Sequence, residues 1–169
     1  MMMLSLFTAG CKKDDPVAVS GEITLDSKLY GTGPYFAYGF LFSQAKKVST
    51  LSKTPPDITV LAETDVLGNI AGAAISTASF LDSFMLIGEF SSEQEALEAF
   101  SSLKSIPSTG WVGLAESVKP FALYGFRTRS EKSAKFLVLN VIAEERDNLP
   151  YAGVTLKWAY QPDGTNIFP

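Results

Sequence analysis

Residues 121–145, FALYGFRTRSEKSAKFLVLNVIAEE, decide the fold class because they hold two long apolar runs separated by a short polar break. Aromatic and β-branched runs joined by three to five polar residues are typical of a β-hairpin. We therefore predict antiparallel strands over 121–129 and 133–145. The stretch GVTLKWAYQ (153–161) alternates apolar and polar side chains, which predicts a third strand of the same meander.

The same reasoning predicts further strands towards the N-terminus, at 20–26, 35–43, 57–63, 70–77 and 84–90. Residues 67–88 form the most apolar window and are long enough for a membrane helix. Asp82, three glycines and a cluster of Ser and Thr interrupt that window. Two buried strands therefore explain it better than a membrane-spanning helix does.

A helix is predicted in SSEQEALEAFSSLKSIP, residues 91–107. Ser92 stands three residues before Glu95, which is the spacing of a capping box. Lys104 in the last turn would complement the helix dipole, and Pro107 would end the helix. One apolar face is predicted for the helix, formed by Ala96, Leu97, Phe100 and Leu103.

The predicted elements add up to a mainly β chain, an antiparallel and sandwich-like single domain with one short α-helix.

Composition excludes several functions. The 169 residues contain no histidine and one cysteine, and the net charge is −4. Histidine catalysis, Ser-His-Asp triads and Cys/His zinc sites are therefore excluded, and basic residues do not cluster as nucleic-acid binding requires. The pair Glu144-Glu145 is interpreted as solvated surface. We therefore predict that the protein is not an enzyme and that it has no catalytic residue and no metal site.

The aromatic side chains leave two interpretations open. In a strand over 35–43, Phe36, Tyr38, Phe40 and Phe42 would share one face, either packed in the core or as a platform for a flat or sugar-like ligand. Tyr30, Tyr35 and Trp111 lie near turn signals and are candidates for exposed rings. Glycan binding by an exposed ring is therefore one open hypothesis.

The N-terminal residues predict where in the cell the protein is located. Residues 1–10, MMMLSLFTAG, are uncharged and apolar and end in small residues, as a secretory signal peptide does. Thr8-Ala9-Gly10-Cys11 resembles the bacterial lipobox, and Lys12-Lys13-Asp14-Asp15 resembles the signal that sends Bacteroidota lipoproteins to the cell surface. We predict a signal peptide over 1–10, lipidation of Cys11, a tether over 11–19 and a β-rich domain over 20–169. The predicted location is the surface of the outer membrane, held by the lipid anchor.

Three segments resemble the HmuY-like haem-binding lipoproteins of Bacteroidota: PDITVLA (56–62), FRTRSEKSAKFLVLNV (126–141) and VTLKWAYQPDGTNIF (154–168). Pro56 stands where the family has a tryptophan, and the family's turn glycine is absent between Arg129 and Lys132. The resemblance implies a surface-anchored β domain that captures haem or a similar apolar ligand.

The best-known members of that family hold the haem iron between two histidines, and this chain has none. Some relatives use methionine, and Met85 is the only methionine after the signal peptide, so the resemblance makes it the candidate cofactor-binding residue. A tyrosinate ligand is another option. The alternative function is an accessory or structural lipoprotein that docks on an outer-membrane transporter or on glycans.

Overall fold

The structure, a computed structural model, describes residues 17–31, 36–78 and 81–169. Within these ranges the protein is mainly β, with antiparallel sheets and one α-helix, as predicted. The signal peptide, Cys11 and Tyr35 lie outside the described residues. The elements are β1 Ser20–Asp26, β2 Tyr38–Leu41, β3 Lys46–Ser49, β4 Thr59–Thr64, β5 Ile70–Ser76, β6 Phe84–Glu89, α1 Glu93–Ser102, β7 Leu114–Ala115, β8 Ala122–Arg127, β9 Ser133–Arg146 and β10 Leu149–Gln161.

The main sheet has five strands in the order β1-β10-β9-β8-β6, and every neighbouring pair is antiparallel. Its centre is the long β9–β10 hairpin. Asp147 and Asn148 connect the two strands and both have positive φ, the conformation of a two-residue type I′ turn. Because that turn is so short, β10 begins at Leu149 instead of the predicted residue 153. Pro150 is tolerated there because β10 has no β1 neighbour before Gly153.

A second layer covers one face of this sheet. It consists of the three-stranded sheet β4-β5-β7 and the β2–β3 hairpin. Alternate residues of β9, such as Phe136, and of β10, such as Trp158, point into the space between the layers. Phe42 and Phe126 fill that space from both sides, with ring centroids 5.5 Å apart. The two layers therefore enclose a single aromatic core, which confirms the sandwich-like interpretation.

Helix α1 covers the opposite face of the main sheet. Ala96 and Phe100 pack against Leu123 and Leu137, with Leu97 and Leu103 at the margin, so the predicted apolar face is confirmed. The first half of strand β9 is buried on both faces as a result. This two-sided burial explains why its first half reads as a continuous apolar run instead of a strict alternation.

The prediction for the N-terminal end of α1 is confirmed, but the prediction for its C-terminal end is wrong. Ser92 Oγ accepts from Glu95 N at 3.3 Å, which confirms the predicted N-cap. At the C-terminal end, Lys104 does not lie in the last turn, so that prediction was wrong. The cation there is Lys135 from β9, whose ammonium donates to the carbonyl oxygens of Phe100 and Leu103 at 2.7 and 2.8 Å. A lysine distant in sequence thus satisfies the carbonyls that the helix itself leaves unpaired.

Two predictions of strand extent also need correction. The aromatic strand predicted over 35–43 ends at Leu41, where the chain enters a 3₁₀ turn, Phe42–Gln44, and returns as β3. The short strands β3 and β7 were not predicted. In the apolar window 67–88 the described residues form β5 and β6. No helix in the described part of the chain is both long and apolar enough to cross a bilayer.

Candidate functional site

Met85, the residue that the family resemblance puts forward, lies in β6 and is 5% exposed. It packs with Ile106 and Phe168 in a small apolar cluster that also includes the Trp111 ring at its margin. Met85 lines neither the cavity at Asp57 nor the cavity at Tyr38. The thioether therefore has a packing role in the described structure, which is the usual role of a buried methionine.

The predicted aromatic row divides between core and surface. Phe40 and Phe42 are 1% and 0% exposed and belong to the central core. Tyr38 is 39% exposed, and Phe36 and Tyr30 surround it in a surface cluster. Core packing is thus confirmed for the second half of the row. The first half leaves rings at the surface, where a ligand can reach them.

A cavity lined by both apolar and polar side chains lies where the loop before β4 meets the β8–β9 turn. Its volume is about 270 Å³. We call it the Asp57 cavity. Its lining is Leu41, Ser43, Thr54, Pro55, Pro56, Asp57, Thr77, Thr128, Arg129, Ser130 and Tyr160. A carboxylate, a guanidinium, a phenol and several hydroxyls therefore converge on one small space.

The backbone holds Asp57 in this position. Pro55 and Pro56 stiffen the approach to β4, and the amide of Asp57 donates to Phe40 O at 2.9 Å. Its carboxylate oxygen Oδ2 accepts from the amide of Phe42 at 2.9 Å, which caps the 3₁₀ turn. Among the described residues this is the one hydrogen bond to the carboxylate. The second oxygen, Oδ1, is left as an acceptor for a ligand.

Partial burial sets the charge of Asp57. Removal from water raises its pKa from 3.8 to about 6, while the Phe42 amide and the Arg129 guanidinium oppose that rise. Asp57 and Arg129 form no ion pair within 4 Å. The cavity thus presents a carboxylate that is ionised at neutral pH and a separate cation.

Arg129 and its neighbours form the opposite wall. Arg129 is an exposed residue, and its guanidinium donates to Ala78 O at 2.8 Å, which restricts the side chain. Thr128 is 2% exposed, and its hydroxyl lies 3.1 Å from that of Ser130 and accepts from Lys132 N. Thr128 and Ser130 of the tight β8–β9 turn thus line the cavity, and the Thr128 hydroxyl is bonded within the turn.

Tyrosinate ligation of iron finds little support in the tyrosines with shifted pKa values. Burial, together with the charges of Glu89 and Glu63, raises the pKa of Tyr124 to about 12. Burial and the charge of Asp57 raise the pKa of Tyr160 as well. Both shifts favour the neutral phenol, whereas an iron ligand must be deprotonated. In the part of the chain that the structure describes, no three Asp, Glu or Cys side chains come together as a metal site.

Asp57 and Arg129 were not predicted as site residues. The signal available was the dipeptide Pro55-Pro56 before a carboxylate, which holds the side chain of Asp57 at a loop end. The paired acids Glu144-Glu145 are exposed beside the β9–β10 turn, where Glu144 pairs with Arg146. Their interpretation as solvated surface is confirmed.

Searches of protein-family models, curated proteins and solved structures found no match to this chain.

Proposed function

We propose that this chain is a non-enzymatic glycan-binding module, held at the outer membrane by lipid on Cys11, and that the Asp57 cavity holds one sugar residue. The observation that carries the proposal is the Asp57 carboxylate, which lines the cavity together with several hydroxyl-bearing residues and has one oxygen bound to Phe42 N. A sugar hydroxyl both donates and accepts. It can therefore donate to Asp57 while a second hydroxyl accepts from Arg129.

The size of the cavity supports a small ligand. Pockets for drug-sized ligands measure about 300–1,000 Å³, and the Asp57 cavity has about 270 Å³. One monosaccharide unit is smaller than a typical drug, while the haem macrocycle is larger. The polar groups of the lining favour a sugar as well, because a flat apolar ligand would desolvate the Asp57 carboxylate and offer its second oxygen no hydrogen bond.

Haem capture, which the HmuY-like resemblance implies, stays a prediction of the sequence. The buried position of Met85 and the raised pKa values of Tyr124 and Tyr160 do not favour it. Titration of the purified protein with haem tests it directly. A Soret shift that is lost in Met85→Leu would establish haem binding and reject the glycan proposal as the primary function.

The lipid anchor is supported by the way the chain enters the domain. Val17 and Val19 are about half exposed, and β1 begins directly afterwards at Ser20. Exposed residues before a first strand are what a tether requires. Mass spectrometry of the mature protein from membranes tests this part. A diacylated Cys11 at the N-terminus supports the anchor, and an unmodified thiol behind an intact leader rejects it.

Binding to the full chain is measured by NMR titration with a panel of sugars: D-glucose, D-galactose, D-mannose and N-acetyl-D-glucosamine. Asp57→Asn keeps an acceptor for Phe42 N but removes the charge that strengthens a sugar hydrogen bond. We expect about tenfold weaker binding, the difference of about 1.4 kcal/mol between a charged and a neutral acceptor. Arg129→Gln should weaken binding to a similar extent.

The control is Glu145→Gln, which removes an exposed carboxylate near the β9–β10 turn. It should leave the affinity unchanged. Equal affinities of wild type and Asp57→Asn for every sugar that binds would reject the Asp57 cavity as the site. Absence of binding across the panel would reject it as well.

A further inference from the structure

A second cavity, of about 250 Å³, opens at the beginning of β2. We call it the aromatic cavity. It shares no lining residue with the Asp57 cavity, and its lining is Leu25, Asp26, Tyr30, Tyr38 and Lys47. It combines two tyrosine rings with one carboxylate and one ammonium at the surface. These side chains do not belong to the packed core.

The rings form a fixed surface. Tyr38 stands edge-on to Tyr30, with centroids 5.1 Å apart, and Phe36 supports both from 5.9 and 6.1 Å. Mutual packing restricts their rotamers, so little side-chain entropy is left to lose on binding. The face of an aromatic ring is electronegative. It therefore attracts the C–H groups that line one face of a pyranose ring.

The charges around the rings select the ligand. Lys47 has no carboxylate within 4 Å among the described residues. Lys28 places a second ammonium 5.4 Å from the centre of the Tyr30 ring. Asp26 supplies one carboxylate, with Oδ1 already accepting from Lys28 N at 3.0 Å. Aromatic clusters elsewhere bind quaternary ammonium groups, but two lysines oppose a cation here and favour an anion.

We infer that the aromatic cavity binds an acidic sugar residue, a uronate. The apolar face of the pyranose lies on Tyr38, the carboxylate pairs with Lys47, and a ring hydroxyl donates to Asp26. The cavity is separate from the Asp57 cavity. The protein then binds an acidic polysaccharide at two points. A charged sugar residue lies in the aromatic cavity, and a neutral sugar residue lies in the Asp57 cavity.

The test is an NMR titration of the full chain with D-glucuronate, D-glucose and choline at low salt, because salt screens an exposed ion pair. We expect D-glucuronate to bind more tightly than D-glucose, and choline not to bind. Lys47→Gln should reduce D-glucuronate affinity about tenfold. Tyr38→Leu should reduce the affinity for both sugars by a similar factor.

Lys46→Gln is the matched control. Lys46 precedes Lys47 in β3, and neighbouring strand residues point to opposite faces, so it should leave binding unchanged. The inference is overturned if D-glucuronate binds no better than D-glucose, if choline binds, or if Lys46→Gln and Lys47→Gln have equal effects. Asp57→Asn should leave D-glucuronate binding intact, so failure of the Asp57 proposal is recognised separately.

Discussion

Asp57 depends on contacts that no local pattern encodes. Its carboxylate meets the amide of Phe42 and faces Arg129, and the three residues come from distant parts of the chain. Residue type and spacing therefore could not predict the site. The surface position of Glu144-Glu145 could be predicted, because their position beside a turn is a local property. Met85, the candidate cofactor-binding residue, packs against Phe168, which is again a contact over long range.

The raised pKa of Asp57 predicts how binding depends on pH. The pKa is about 6, so about nine tenths of the carboxylate is ionised at pH 7 and about one tenth at pH 5. If the anion is the form that binds sugar, affinity falls about tenfold between these two pH values. NMR titration with the tightest-binding neutral sugar of the panel checks this. A pH-independent affinity contradicts the role of the Asp57 charge.

Lys135 predicts a pH dependence of stability. Burial and the charge of Lys104 lower its pKa from 10.5 to about 8. Between these pH values the unfolded chain keeps a proton that the folded chain has released, so the free energy of unfolding rises with pH. We expect wild type to gain stability relative to Lys135→Met from pH 8 to 10.5 in urea unfolding. The exposed Lys46→Met variant is the control, and a flat or falling difference for Lys135→Met contradicts the lowered pKa.

The strands and the helix follow the sequence more closely than the site does. Period-two alternation located β1 and the second half of β10, the hairpin pattern located β8, and the capping box located the start of α1. These signals are local and strong. Strand β3 was not predicted because its sequence, KKVS, is short and half charged. Strand β7 was not predicted because it has only two residues. Their strand conformation comes from pairing with neighbours and not from intrinsic preference.

A close backbone approach between β2 and β4 predicts the effect of Gly39→Ala. A Cβ at Gly39 would overlap the carbonyl oxygen of Ile58 and crowd Thr59 and Pro56. We expect the free energy of unfolding to fall by about 1–3 kcal/mol, the usual cost of overpacking. Chemical denaturation measures it.

Gly21→Ala is the matched control for Gly39→Ala. A Cβ at Gly21 would meet the Trp158 ring at an ordinary 3.5 Å, so the free energy of unfolding should change by no more than about 0.5 kcal/mol. If both variants are equally stable, β2 and β4 do not approach as closely as described.

The whole molecule is a layered domain whose C-terminus closes one side. Phe168 is 2% exposed, packs with Met85 and Ile106, and lies 4.8 Å from the Lys135 ammonium. Its amide donates to Lys104 O at 2.8 Å. The end of the chain thus holds the segment after α1 against the main sheet. The sandwich architecture could be predicted from alternation and turns, but this closure could not, because the last residues carry no periodic signal.

Phe168→Ala tests the closure. Truncation of a buried phenylalanine costs about 3–5 kcal/mol, and we expect a loss of that order in the free energy of unfolding by urea denaturation. Ile167→Ala is the control, since Ile167 is 59% exposed, and it should change stability by about 0.5 kcal/mol or less. Equal small effects of both substitutions would show that the C-terminus does not contribute to the packed domain.

The account as a whole depends on sugar binding at the Asp57 carboxylate. The most direct measurement is the ¹⁵N chemical shift of the Phe42 amide, which donates to Asp57 at 2.9 Å, during titration of the full chain with the neutral monosaccharide panel. We predict a saturable shift of the Phe42 amide that is abolished or strongly weakened in Asp57→Asn and unchanged in Glu145→Gln. An unmoved Phe42 amide at saturating sugar would contradict the account.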